Sequence, residues 1–154
     1  MEAKAFQYAI KLLGYRQRSR KELKDRLWRK GFPHEEIESA LERLEKLDYI
    51  NDSETARVLR DQAERVKLLG RSGARQFMRL RGIGKEDAEN ALCGYNEEDA
   101  ALKLLERKSR ALEGLPRHVA RRRLAGYLGR RGYSGDSLYK MLRIAFDNNE
   151  TSED

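Results

Sequence analysis

Residues 20–41 read RKELKDRLWRKGFPHEEIESAL. A basic segment, Lys21 to Lys30, meets Gly31-Phe32, and an acidic segment opens at Pro33. The same grammar returns at residues 71–92 around Gly82-Ile83 and at residues 121–142 around Gly132-Tyr133. The three glycines stand 51 and 50 residues apart. Apolar positions correspond around them: Leu23, Ala74 and Leu124; Leu27, Met78 and Leu128; Ile37, Ala88 and Leu138; Leu41, Leu92 and Leu142. A fixed period of about 50 residues is the signature of tandem supersecondary units. The expected fold is all-α: three tandem three-helix repeats stacked into an elongated, curved array. The boundaries expected are 1–48, 49–95 and 96–146, followed by an acidic, disordered tail at 147–154.

Local signals agree with this plan. A helix over about Lys4 to Leu13 would place Phe6, Ala9, Ile10 and Leu13 on one apolar face. Ser19 and Glu22 form the S-x-x-E capping pattern before the next helix. Gly31 stands where a helix C′ residue needs positive φ, and Pro33 suits a helix start. Ile37, Ala40, Leu41, Leu44 and Leu47 then form a buried stripe. In the second repeat Asn51 or Asp52 caps a helix carrying Ala56, Leu59, Ala63 and Val66 on one side. The third opens near Asn96. The aromatics Phe6, Trp28, Phe32, Phe77, Tyr127, Tyr133 and Phe146 are expected in the core rather than as stacking platforms. Each unit is too small to bury much alone, so stacking on neighbours should supply part of the stability.

Composition narrows function. The chain has 154 residues, 38% of them charged, and a formal charge of +7. Setting aside the four carboxylates of the last eight residues leaves +11 on residues 1–146, which points to a polyanionic partner, nucleic acid or an acidic protein surface. A lone cysteine, Cys93, excludes an internal disulfide. With no membrane-length apolar run and no secretory h-region, a soluble cytoplasmic protein is expected. His34 and His118 show no metal-ligand spacing with each other or with Cys93. Gly84-Lys85 lacks both the preceding glycine and the following Ser or Thr of a phosphate loop. No nucleophile, base and orienting group are brought together, so no catalysis and no cofactor are expected.

Two nucleic-acid motifs are also weighed. Gly82-Ile83-Gly84 resembles a helix-hairpin-helix turn, but the repeat accounts for it, and Glu86 and Asp87 compete with a phosphate for the helix amides. A helix-turn-helix reader would place the glutamate-rich segment after Pro33 against phosphates, with repulsion. What remains is segregated charge. Arg71, Arg75, Arg79, Arg81 and Lys85 occur with no acid among them, as do Arg117, Arg121, Arg122, Arg123, Arg130 and Arg131. With Arg20, Lys21 and Lys24 they form the candidate binding set, and arginine is the better bidentate partner for carboxylate and phosphate.

Arg18-Ser19-Arg20-Lys21-Glu22-Leu23, Leu27 and Lys30-Gly31-Phe32 resemble the first repeat of the RecX regulatory proteins. Tyr49-Ile50-Asn51-Asp52-Ser53, Ala56, Arg65, Gly70 and Arg81-Gly82-Ile83 resemble the second, and Arg130-Arg131-Gly132-Tyr133 with Leu138 the third. The likeness spans about residues 5 to 146 in order. Asn51, Thr55, Gly73 and Ala74 depart from the family pattern. The resemblance implies a non-enzymatic modulator of the RecA recombinase. It implies three three-helix units, binding in the groove of the RecA–single-stranded DNA filament, and inhibition of extension, ATP hydrolysis, strand exchange and SOS coprotease activity. A monomer is expected. The alternatives are a non-specific DNA-binding helical repeat protein and an adaptor for another acidic protein.

Overall fold

The computed structural model describes residues 2–147. Among them the chain is all-helical: α1 (Glu2–Tyr15), α2 (Arg20–Lys30), α3 (His34–Lys46), α4 (Asp52–Arg65), α5 (Arg71–Leu80), α6 (Lys85–Ala91), α7 (Glu97–Leu112), α8 (Arg117–Arg130) and α9 (Gly135–Leu142), closed by one π-helical turn, Arg143–Asp147. The acidic tail expected from Asp147 lies, beyond that residue, outside the described residues.

One local motif recurs three times. Gly31, Gly82 and Gly132 have φ of +100°, +85° and +77°. The amide of the next residue reaches back to the helix: Phe32 to the Leu27 carbonyl at 3.3 Å, Ile83 to Met78 at 3.0 Å, and Tyr133 to Leu128 at 3.2 Å. This is the Schellman closure, which satisfies orphan carbonyls and requires a left-handed residue that glycine adopts without a Cβ penalty. Gly82-Ile83-Gly84 is therefore one of three equivalent repeat turns.

The described residues fall into two compact units. One comprises residues up to Leu59 with Met78–Ala91, the other Arg60–Phe77 with Leu92 onward. Both are built on the same junction. In the first unit the Ser19 hydroxyl accepts from the Glu22 amide at 3.1 Å and donates to the Arg81 carbonyl. In the second unit the equivalent donor is the Gly70 amide, 2.8 Å from the Arg131 carbonyl, with the Gly73 amide 3.3 Å from Gly132. A carboxylate accepts the first amide of the basic helix in each case: Asp52 accepts from Arg20 at 2.9 Å and Glu97 from Arg71 at 3.3 Å. An acid there satisfies an orphan donor and complements the positive helix end. The turn approaches so closely that a Cβ at Gly73 would overlap the Arg131 carbonyl, and one at Gly82 would stand 2.7 Å from the Ser19 hydroxyl.

The first core gathers Ala5, Ala9 and Leu12 of α1, Leu23 and Leu27 of α2, and Ile37, Leu41 and Leu44 of α3. The second gathers Ala100, Ala101 and Leu104 of α7, Leu124 and Leu128 of α8, and Met141 and Leu142 of α9. Tyr133 is buried there and donates its hydroxyl to the Leu68 carbonyl at 2.9 Å.

Four expected core positions are exposed. Ile10 is 37% exposed because α1 turns Ala5, Ala9 and Leu12 inward; the alanines allow close helix approach. Leu47 (49%) and Val66 (68%) lie just beyond the ends of α3 and α4. Trp28, 65% exposed, stands about 100° round α2 from Leu27, and that helix buries only the Leu23–Leu27 stripe. In the capping pattern, Glu22 sends its carboxylate to Arg16 and, at 3.7 Å, to Arg18.

Candidate functional site

The basic residues singled out in the sequence fall into different environments. Arg20 and Lys24 of α2 face α3. The Arg20 guanidinium contacts Glu38 at 2.7 Å and Glu45 at 2.6 Å, and the Lys24 ammonium contacts Glu38 at 2.9 Å. Hydrogen bonds from Lys24 and then Arg20 hold the Glu38 carboxyl well below its ordinary range, at about 2. The Glu38 hydrogen bond is also the chief reason the Arg20 guanidinium is raised. These cations are neutralised where they stand. Lys21 lies on the exposed side of the same helix.

Arg71 combines its capped backbone amide with a guanidinium hydrogen bond of 3.0 Å to the Leu92 carbonyl, a structural use. Arg75 and Arg79 lie exposed on α5, and Lys85 is exposed at the start of α6 beside Glu86 and Asp87. Arg81 and Arg131 are half-buried, and their carbonyls form the two junction hydrogen bonds described above. Arg117 and Arg121 of α8 meet Asp147 at 3.1 and 3.5 Å.

The rest of α8 differs. Arg122, Gly126 and Arg130 recur at i, i+4 and i+8 on the side of α8 away from the buried Ala120, Leu124 and Leu128, with Arg123 and Tyr127 on the neighbouring row nearer the core. They line an open groove of about 470 Å³. Arg122, Arg123 and Arg130 are exposed, and among the described residues none of the three has a salt-bridge partner. Tyr127 is half-buried as part of the groove wall. Its ring takes the Lys108 ammonium at 4.8 Å and the Arg130 guanidinium at 5.5 Å, contacts that orient cations over an aromatic face. Gly126 leaves the groove open: an added Cβ would stand 3.1 Å from the Arg130 guanidinium.

Three forked, permanently charged donors spread over about 12 Å of helix suit successive phosphates or a row of carboxylates. The sequence points to the arginines; Tyr127, expected in the core, does pack against it while its ring also walls the groove, and Gly126 and Lys108 are not among the sequence-predicted binding residues. The i, i+4, i+8 register of Arg122, Gly126 and Arg130 was the available signal. Among the described residues no His, Cys, Asp and Glu group could hold a metal ion, and no helix is long and apolar enough to cross a membrane.

Comparison with known proteins adds a lineage. The family model for the RecX first three-helix domain matches residues 5–44, and that for the RecX third three-helix domain matches residues 96–140. The chain is 33% identical over 144 residues to the regulatory protein RecX of Thermobifida fusca, covering 92% of this chain and 78% of that one. It is 34% identical over 139 residues to the regulatory protein RecX of Prosthecochloris aestuarii, covering 90% and 91%. The crystal structure of RecX from Lactobacillus salivarius superposes with a TM-score of 0.79 at 22% identity over 94% of this chain and 96% of that one. A second crystal structure, of regulatory protein RecX, gives 0.81 at 25% identity over 93% and 73%.

Proposed function

The chain belongs to the RecX family of regulatory proteins, and from that premise we propose that it binds the RecA–single-stranded DNA filament in the cytoplasm and restrains it. In this reading it acts without catalysis or cofactor, as a monomer. It inhibits filament extension, ATP hydrolysis, strand exchange and coprotease activity, and so modulates recombination, DNA repair and the SOS response. The observation that carries the reading is the α8 face, where Arg122, Arg123 and Arg130 stand exposed around an open groove with no salt-bridging carboxylate among the described residues.

The filament presents two anionic surfaces, the DNA backbone and the acidic side chains of the recombinase. Arginine can grip either in bidentate fashion. Desolvating phosphates or carboxylates against the α8 groove would favour one position on the filament and oppose addition of the next recombinase subunit. The bare arginines equally favour a second reading, non-specific DNA binding, whose mark is a steep loss of affinity with salt.

Titrating the protein into RecA-dependent ATP hydrolysis on single-stranded DNA, well below the recombinase concentration, separates the two. Inhibition that persists when extra DNA is added supports action on the filament. Inhibition relieved by extra DNA, or none, supports the DNA-binding reading.

A further inference from the structure

The outward edge of α2 holds an aromatic that the fold does not use. Trp28 is the chain's single tryptophan and is 65% exposed. Tyr127 of α8 carries cations on its ring and Tyr8 of α1 carries Lys30 at 5.4 Å, whereas no ring or cation contact is made by Trp28 among the described residues. Exposed cations flank it. Lys21 lies seven residues before it on the same stripe, and Arg29 lies beside it; neither has a salt-bridge partner among the described residues. The Lys21 stem runs along Gly82, where an added Cβ would stand 2.8 Å from Lys21 Cβ, so one flank is sterically confined.

The repeat shows why the edge is more than a solvated surface. Leu23 and Leu27 correspond to Leu124 and Leu128, and in the same register Lys21 and Arg29 correspond to Arg122 and Arg130. Each pair spans about 12 Å of helix. Position 126 is a glycine, whereas its counterpart Asp25 is an exposed carboxylate. The α2 edge is thus a weaker charge clamp than α8, with a large apolar ring added within it.

We infer that Trp28, between Lys21 and Arg29, is a stacking site for one base of single-stranded nucleic acid, the two cations taking the phosphates on either side. An indole face offered with flanking cations is the sequence-tolerant mode of single-strand binding, because every base has a π-face. A protein partner anchoring on the ring would not need a cation on each side of it. Asp25 opposes the phosphates and sets the charge balance of the site. The inference draws on no property of the recombinase.

Because Trp28 is the only tryptophan, intrinsic emission of the full chain reports this ring alone. Single-stranded oligothymidylate is titrated at low salt, with emission followed together with anisotropy of a labelled oligonucleotide. The expected result is quenching that tracks the anisotropy. Trp28→Leu should weaken binding on the order of tenfold, Trp28→Phe should retain most of the affinity, and Asp25→Asn should strengthen it. Helical circular dichroism should be unchanged in all three, since both positions are exposed. Three results would overturn the site: binding with constant emission and an unaffected Trp28→Leu variant, no binding at low salt, or emission that responds only when RecA is added. The last would mark Trp28 as an anchor for a protein. No recombinase is present in the main titration, so its failure leaves the filament reading standing, and the reverse also holds.

Discussion

Helices α2 and α8 occupy the same place in the first and third repeats, bury the equivalent leucines, and are both strongly basic. They differ in what faces their cations. Arg20 and Lys24 of α2 are held by Glu38 and Glu45 of α3 at 2.6 to 2.9 Å. Helix α9, which packs beside α8, carries Asp136 as its acid, and this lies outside salt-bridge reach of Arg122, Arg123 and Arg130. The same sequence feature, a run of Lys and Arg before a glycine, therefore builds an ionic network around Arg20 and Lys24 in one repeat and leaves Arg122, Arg123 and Arg130 bare in the other. Counting basic residues does not identify a binding face. Whether an acid of a packed helix comes within reach of them decides it.

The largest expected effect comes from breaking the bare side. Arg122→Glu, Arg123→Glu and Arg130→Glu together should weaken binding to RecA–single-stranded DNA filaments by well over tenfold, with unchanged helicity because all three side chains are exposed. Where the contacts are to single-strand phosphates, the slope of log affinity against log salt should also shrink by about 2. Co-sedimentation across a salt series measures both.

Making α2 resemble α8 is the complementary test. Glu38→Gln leaves Arg20 and Lys24 without their shared carboxylate. Polyanion affinity should rise about two- to threefold, while stability falls by about 1 kcal/mol, a modest cost for a solvent-screened pair. Chemical denaturation reads the loss. The pH dependence has a definite sign. The Glu38 carboxyl is depressed to about 2 in the folded chain, so its stabilisation is complete above the ordinary carboxyl range, about 4.3, and is lost as pH falls from there toward 2. Glu38→Gln should lack that part of the acid-side slope. A parallel acid titration of the two proteins, with identical slopes, would count against the network.

The smallest effect lies at Asp147. It holds Arg121 at 3.5 Å and shares Arg117, at 3.1 Å, with the Phe146 carbonyl, so Asp147→Asn should relax Arg121 at the start of α8. Oligonucleotide affinity should increase about twofold, as expected for exposed ion pairs of small individual worth. Anisotropy at low salt would detect it.

Much of the fold was legible because it rests on local rules. Gly31, Gly82 and Gly132 are required by a left-handed turn, and Leu23, Leu27, Leu124 and Leu128 by the helix period. Ser19 and Asn51 were readable as caps because a side-chain oxygen must meet a free amide two or three residues on, as it does for Glu22 at 3.1 Å and Glu54 at 3.2 Å. The failures came from non-local packing. Trp28 was expected in the core as a large aromatic, yet α2 meets its neighbours through a two-leucine stripe, and the repeat register pairs Trp28 with Arg79 and Gly129. Arg20 looked like a surface cation because its partners lie 18 and 25 residues along the chain. The roles of Gly70 and Gly73 depended on the Arg131–Gly132 turn, some sixty residues distant, which no local pattern announces.

The most direct measurement is RecA-dependent ATP hydrolysis on single-stranded DNA with two variants beside the wild-type chain. One reverses Arg122, Arg123 and Arg130 on α8; the other replaces Arg20 and Lys24 of α2 by glutamine. Inhibition is predicted to disappear in the α8 variant and to survive in the α2 variant once its lower stability is matched by temperature. Full inhibition by the α8 variant, or loss confined to the α2 variant, would contradict the assignment of the bare arginine face as the working surface.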